Sequence, residues 1–209
     1  SRVAFVHADS DTGRRHLANV RRLAGDRGID VAPISMAAGL TPAALADAIA
    51  RARVDAVFNH GSYSVYVGII KSLRAKGLTP MFMAVNSGAA QMARELGPEG
   101  RGLVFTQVVP FPWGVAVPVV KEYQQALAKA APATQPSFSG LEGYVSAKVL
   151  VAGLQRASAR LSREDLIVGL EQLGNHDVGG FGVVYGPASR TGSTLVDTVL
   201  ATGTGRFVR

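Results

Sequence analysis

Four times before residue 95 the chain repeats one pattern: a short apolar run ends in small polar residues and passes at once into a stretch with helical spacing. Val3-Ala-Phe-Val-His-Ala-Asp-Ser-Asp-Thr-Gly13 opens the first copy. Ile29 to Ile34 leads to a helix opened by Thr41-Pro42. Val54 to Asn59 leads through Gly61-Ser62-Tyr63, and Met81 to Val85 leads through Asn86-Ser87-Gly88. Strands alternating with helices over short connections imply right-handed crossovers, hence an α/β fold with a parallel sheet covered on both faces. Ligands of such sheets collect outside the carboxyl ends of the strands. There the chain offers Asp11-Thr12, Ser62-Tyr63 and Asn86-Ser87: hydroxyls, an amide, one carboxylate and an aromatic plane. With apolar walls, that is the polar inventory of a small-molecule cleft. Backbone N–H groups at helix N-termini also suit a carboxylate or another anionic head.

The helical stretches expected in this half run from about Thr12 to Arg27, from Pro42 after a Thr41 cap, from Ser64 to Lys76, and from Ala89 to Leu96. Pro42 just inside a start and Gly28 and Gly77 just past an end follow the usual asymmetry of helix termini. Beyond Gly102 the pattern changes. Leu103 to Val109 reads as a fifth strand, but Pro110-Phe-Pro-Trp-Gly114 is too proline-rich to start a helix and marks a crossing between two lobes. Phe111 and Trp113 either wall a cleft there or pack in a core. Helices are expected over Pro118 to Ala130, Ser139 to Ala157 and Ser162 to Leu173, the last opened by a Ser-Arg-Glu-Asp capping pattern. Asp177 to Tyr185 and Leu195 to Val208 read as strands, the last pair turning at Thr202-Gly-Thr-Gly205.

Hydrophobic residues make up 47% of the chain and charged ones 18%, which supports a substantial core. The 22 Lys and Arg against 15 Asp and Glu leave a net charge of +7, so nucleic acid must be considered. The basic residues are dispersed, however. Their densest group, Arg14, Arg15, Arg21 and Arg22, lies on the first helix without interleaved aromatics, and reads as a solvated face. No nucleic-acid partner is expected. Cysteine is absent, which removes disulfides, thiolate metal sites and thiol nucleophiles. No apolar run reaches the 18 residues of a candidate membrane span. Ser1-Arg2 enters a core strand directly, without a signal-peptide pattern. That fits a cytoplasmic protein or a chain that begins downstream of its natural start.

Catalytic motifs are weak. His7, Asp9 and Asp11 alternate and would share a side of an extended chain, so they could ligate a metal. The better account is a polar loop with an acidic residue favoured by a helix N-terminus, and no metal is expected. Two acidic residues after a first strand also fit a phosphoacceptor receiver domain, but such a domain needs an Asp where the third strand here ends in Asn59-His60. Gly180-Phe-Gly-Val-Val-Tyr-Gly186 does not match a nucleotide-binding glycine loop, and glycines of a β-hairpin explain it. The first turn holds a single glycine, short of a dinucleotide fingerprint, so no cofactor is expected. Neither Gly-x-Ser-x-Gly nor His-Glu-x-x-His occurs. The reading is of a non-enzyme.

Several stretches in order carry a resemblance: Arg2-Val-Ala-Phe-Val-His-Ala-Asp-Ser-Asp-Thr-Gly13, Val54-Asp-Ala-Val-Phe58 with Gly61-Ser-Tyr63, Thr106-Gln-Val-Val-Pro110, Leu141-Glu-Gly-Tyr-Val-Ser-Ala-Lys148, and Asp177-Val-Gly-Gly-Phe181 with Tyr185-Gly-Pro187. Together they resemble the periplasmic substrate-binding proteins of ABC importers, type I fold, in the leucine/isoleucine/valine-binding family. The resemblance implies a three-layer α/β/α lobe plus part of a second lobe: residues 1–109 as most of lobe two, 110–192 as the C-terminal part of lobe one, and 193–209 returning to lobe two. It implies a periplasmic protein that closes on an amino-acid-like or carboxylate solute and delivers it to a membrane permease. A Tyr of the family pattern corresponds to Thr12, an aromatic to Tyr63 beside Ser62, and the acidic partner of the ligand's ammonium to Asn86. Two of these three positions depart from the pattern. Without the carboxylate, a buried ammonium lacks its charge partner unless Asp11 supplies it, and a carboxylate, amide or aromatic acid without an amine joins the candidate solutes. Glu142 and Tyr144 are the candidates from the other lobe. Two further readings are a ligand-sensing domain of a regulator or receptor with the same fold, and a flavodoxin-like or Rossmann-like nucleotide-binding enzyme domain.

Overall fold

The structure, a computed structural model, describes residues 1–158 and 160–209. In chain order its elements begin with β1 (Arg2–Ala8), α1 (Asp11–Gly25), β2 (Asp30–Met36), α2 (Pro42–Ala52), β3 (Ala56–His60), α3 (Tyr63–Ala75), β4 (Met81–Ala84), α4 (Ala89–Leu96) and β5 (Val104–Gln107). They continue with α5 (Pro118–Ala130), α6 (Phe138–Arg156), α7 (Arg163–Glu171), β6 (Gly174–Asp177), β7 (Gly182–Gly186), β8 (Ser189–Gly192), β9 (Asp197–Ala201) and β10 (Phe207–Val208). The chain divides into two compact units, Ser1–Thr106 with Thr198–Arg209, and Gln107–Asp197.

The first unit is built on a seven-stranded sheet in the order β10-β9-β5-β4-β3-β1-β2. Strands β1 to β5 pair in parallel, and β9 with β10 is antiparallel. β1 lies inside the sheet, and its Ala4, Phe5 and Val6 are fully buried, as a strand covered on both faces requires. From β1 the chain steps to β2 on one side, then returns past β1 to β3 and on to β4 and β5. Right-handed crossovers therefore put α1 on one face and α2, α3 and α4 on the other. The reversal falls between β1 and β3, where the loops leaving the two strands part and open a crevice.

Local chemistry sets the helix starts. Ser10 caps α1, its Oγ accepting from the Gly13 N–H at 3.1 Å. Thr41 caps α2 in the same way through Ala44, with Pro42 at the first turn. Gly13 is needed for packing: a Cβ there would lie 2.0 Å from the Ala8 carbonyl oxygen, so only glycine lets α1 fold back so closely on β1. On the buried face Leu45 and Ile49 of α2, Tyr66, Ile69, Ile70 and Leu73 of α3, and Met92 and Leu96 of α4 form the core. Tyr66 donates its hydroxyl to the Val57 carbonyl at 2.9 Å, and burial pushes its pKa up.

The second unit joins α5, α6 and α7 to a three-stranded antiparallel sheet, β6-β7-β8. The strand expected over Asp177 to Tyr185 is interrupted. β6 ends at Asp177, and a turn follows in which the Val178 N–H donates to the Phe181 carbonyl and the Gly180 N–H to Asp177 Oδ1. Gly179 and Gly180 take φ values of 81° and 79°, so these glycines do serve a hairpin. β8 completes the sheet where no strand was expected. Ser162 and Asp165 form the reciprocal capping box at the start of α7. Phe111 and Trp113 pack on each other and on Phe138 of α6, with ring centroids 5.1, 6.1 and 5.4 Å apart.

Candidate functional site

The carboxyl ends of β1, β3 and β4 are neighbours in the first unit's sheet, and the three polar clusters leave from that edge. After β1, Asp9 and Asp11 are both drawn to Arg14: Nη1 lies 3.2 Å from Asp9 Oδ1 and Nη2 lies 2.7 Å from Asp11 Oδ1. Asp11, the residue expected to stand in for the family's acid, is thus paired with Arg14 on the exposed surface. Its side chain is 91% exposed, and its charge is already offset by a neighbour one helical turn away. Thr12 lies on the exposed surface of the same turn, its Oγ1 accepting from Arg15 Nη2 at 3.3 Å.

After β3 the Asn59 amide folds onto Gly61, donating to its carbonyl and accepting from its N–H. The Met36 side chain lies against Gly61, where a Cβ would fall 2.6 Å from Sδ and push the thioether aside. Ser62 occupies the cap position of α3 but makes no cap bond; its hydroxyl pairs instead with that of Ser64 at 2.9 Å. Tyr63, expected in the loop, is the first residue of the helix and is 37% exposed. Its ring lies against Gly88, where a Cβ would fall 2.8 Å from Cγ and Cδ1, and Gly88 has a φ of 73°. Thus the loops after β3 and β4 touch. Asn86 lies in the second loop, which begins at Val85; its carbonyl accepts from the Ala89 N–H at 3.1 Å, and Ser87 is exposed. α4 also opens without a side-chain cap. The cap-position residues of these two adjacent helices, Ser62 and Gly88, make no side-chain cap bond, and a helix N-terminus favours an anionic or carbonyl oxygen.

Two features of the edge carried no sequence signal. His16 of α1 and His60 at the end of β3 meet across the crevice, Nδ1 to Nδ1, at 3.1 Å, with ring centroids 4.0 Å apart. Burial, then the neighbouring His60 and Arg15, lowers the pKa of His16. Their separation of 44 residues hides the pair from any motif search. The other lies where β5 passes into the second unit: Gln107, the last residue of β5, has a buried side chain. His7 is also buried, its Nδ1 donating to the Ala8 carbonyl at 2.9 Å. Among the described residues no group of three His, Cys, Asp or Glu side chains is placed to hold a metal ion.

Glu142 and Tyr144 belong to α6 in the second unit. Glu142 lines a groove with Val145, Val149, Phe181 and Tyr185, whereas Tyr144 lines another with Glu122, Lys148 and His176. Two residues apart on a helix, they point to different sides and do not converge on one small ligand.

A family model described as periplasmic binding protein matches residues 1–198. No curated protein matches. Among solved structures, the chain is similar to an extracellular ligand-binding receptor from Verminephrobacter eiseniae, with 28% identity, a TM-score of 0.87, and coverage of 100% of this chain and 61% of that one. It is also similar to a possible leucine/isoleucine/valine-binding protein from Rhodopirellula baltica, with 27% identity, a TM-score of 0.81, and coverage of 96% and 57%. A substrate-binding periplasmic protein from Ralstonia solanacearum matches with 25% identity, a TM-score of 0.82, and coverage of 99% and 60%. The chain thus spans about three fifths of the length of these relatives. With its parallel sheet and the match over nearly its whole length, the chain belongs to the periplasmic binding protein family.

Proposed function

We propose that the chain belongs to the extracytoplasmic solute-binding component of an ABC importer, which takes a small solute and presents it to a membrane permease from the periplasm. The observation that carries this reading is the gathering of Thr12, Ser62, Tyr63, Asn86 and Ser87 on one carboxyl edge, above two helix starts without side-chain caps. Family membership and the relatives' descriptions as ligand-binding and substrate-binding proteins support it. Binding is the whole task, with no chemistry done on the solute. We propose residues 1–109 with 193–209 as lobe two and 110–192 as lobe one, with Glu142 or Tyr144 contributed by the latter. Ligand-driven closure follows population-shift logic: a solute favours the closed form only by the contacts it gains there.

The solute we propose bears a carboxylate, amide or aromatic acid and no required ammonium. Asn86 stands where the family pattern has an acid, and Asp11 is engaged by Arg14. Native mass spectrometry of the intact protein should find such a molecule co-purified. Tyr63→Ala should weaken its binding about tenfold by calorimetry with little change in melting temperature, because the ring is partly exposed and caps no core. Unchanged affinity in that variant refutes the assignment.

A further inference from the structure

Three of the chain's four histidines gather around the ends of β1 and β3: His7 on β1, His60 at the end of β3, and His16 on α1. His7 faces His60 in register across the two strands, but it is buried and its Nδ1 donates to the Ala8 carbonyl. His16 and His60 are placed differently. Both belong to the first unit, both are half-exposed and so open to solvent, and their Nδ1 atoms meet at 3.1 Å. The approach is not head-on. An N–H···N bond along the axis of two imidazoles would set the ring centres apart by the nitrogen separation plus a ring radius at each end, whereas here the centres are 4.0 Å apart and the planes cross at 64°. When both rings carry their proton on Nε2, two Nδ1 lone pairs share this space, and a cation between them removes their repulsion.

Two nitrogens each about 2.0–2.1 Å from one ion, at octahedral or tetrahedral angles, stand about 2.8–3.4 Å apart. The separation of 3.1 Å falls inside that range. Imidazole is a ligand for zinc, nickel and copper, and not for magnesium or calcium. We propose that His16 and His60 bind a divalent transition-metal ion through their Nδ1 atoms, with water in the remaining positions. The set suggested by alternation in the sequence, His7, Asp9 and Asp11, is not this site, because Asp9 and Asp11 are turned to Arg14. With two protein ligands the site is open and exchangeable, unlike a closed four-ligand structural site. Because one ligand sits on a helix and the other on a strand, a bound ion ties α1 to β3 and stabilises the first unit by mass action. The proposal stands apart from the solute-binding reading and survives its failure.

The test uses the chain without an affinity tag, stripped with a chelator and titrated by calorimetry near neutral pH with Zn²⁺, Ni²⁺, Cu²⁺ and, as a control, Mg²⁺. A single saturable event should appear with the three transition metals, tightest for Cu²⁺, and none with Mg²⁺. Excess Zn²⁺ should raise the melting temperature. His16→Gln and His60→Gln should each weaken binding at least tenfold, while His176→Gln in the second unit leaves it unchanged. The proposal is overturned if no transition metal binds saturably, if either variant binds as the unsubstituted chain does, or if all three variants lose affinity alike. Should a variant fail to fold, ring-nitrogen resonances of the ¹⁵N-labelled unsubstituted chain decide. Zn²⁺ should move Nδ1 of two histidines together and leave their Nε2 protonated; movement of one ring or of none refutes the shared ion.

Discussion

At the scale of single residues, one contact makes folding answer to pH. The His16–His60 pair requires one ring nitrogen to donate and the other to accept, so it tolerates protons on the facing nitrogens poorly. His16 is held below its ordinary value of 6.5 by burial, by His60 and by Arg15. The unfolded chain therefore binds a proton near pH 6.5 that the folded chain refuses. Stability is greatest above that pH, falls as pH drops from 6.5 through the lowered value of the folded state, and then levels. Melting temperatures measured across this window should show the fall, and His16→Asn should flatten it; an unchanged slope would sink the account. Neither histidine carries a motif, because the contact depends on how far α1 reaches over β3. Thr12, Tyr63 and Asn86 were legible for the opposite reason, since each lies two to four residues past the end of a strand and sheet topology alone brings those strand ends to one edge. Gln107 stood in the quoted stretch Thr106-Gln-Val-Val-Pro110, but nothing in Leu103 to Val109 told that its side chain is buried.

At the scale of elements, the helices and the parallel strands were readable because each is locally self-consistent, with an apolar stripe, a cap and a stop. β6 and β8 were not. Gly-Asn-His-Asp and Ser-Arg-Thr-Gly have neither alternation nor β propensity, and they become strands because β7 offers an edge on each side. Helix contacts depend on details just as local. α6 and α7 cross where Gly153 and Gly169 allow their backbones to approach: a Cβ on Gly169 would lie 2.3 Å from the Gly153 carbonyl oxygen, and one on Gly153 would lie 2.6 Å from Leu170 Cδ2. Neither position needs a positive φ, so the requirement is for space alone. Gly169→Ala should therefore cost about 1–3 kcal/mol through overpacking, despite alanine's better helix propensity. Gly143→Ala on α6, where a Cβ meets nothing, should gain a fraction of that. Chemical denaturation of the two variants provides the comparison, and equal effects would dismiss the crossing as the cause.

At the scale of the whole molecule, α6 poses the largest physical demand. Leu141, Val145 and Val149 are buried along one side, yet Leu150, Val151 and Leu154 are 45%, 52% and 38% exposed on another. A helix apolar all round is normally covered all round. Here the exposed residues run between the two grooves that flank the helix, Leu150 lining one and Val151 the other. Isolated exposed leucines are ordinary, but a continuous strip bordered by apolar grooves is a surface for association. The chain by itself should therefore bind an apolar dye such as anilinonaphthalene sulfonate and self-associate as its concentration rises. Leu150→Gln with Val151→Gln keeps helix propensity and removes the strip. The double variant should lose most of the dye fluorescence and elute later in size exclusion, with stability within about 0.5 kcal/mol of the starting chain, as for other surface substitutions. Dye binding that survives the double substitution would move the exposed apolar surface elsewhere. A large loss of stability would mean that Leu150 and Val151 support the fold of this unit.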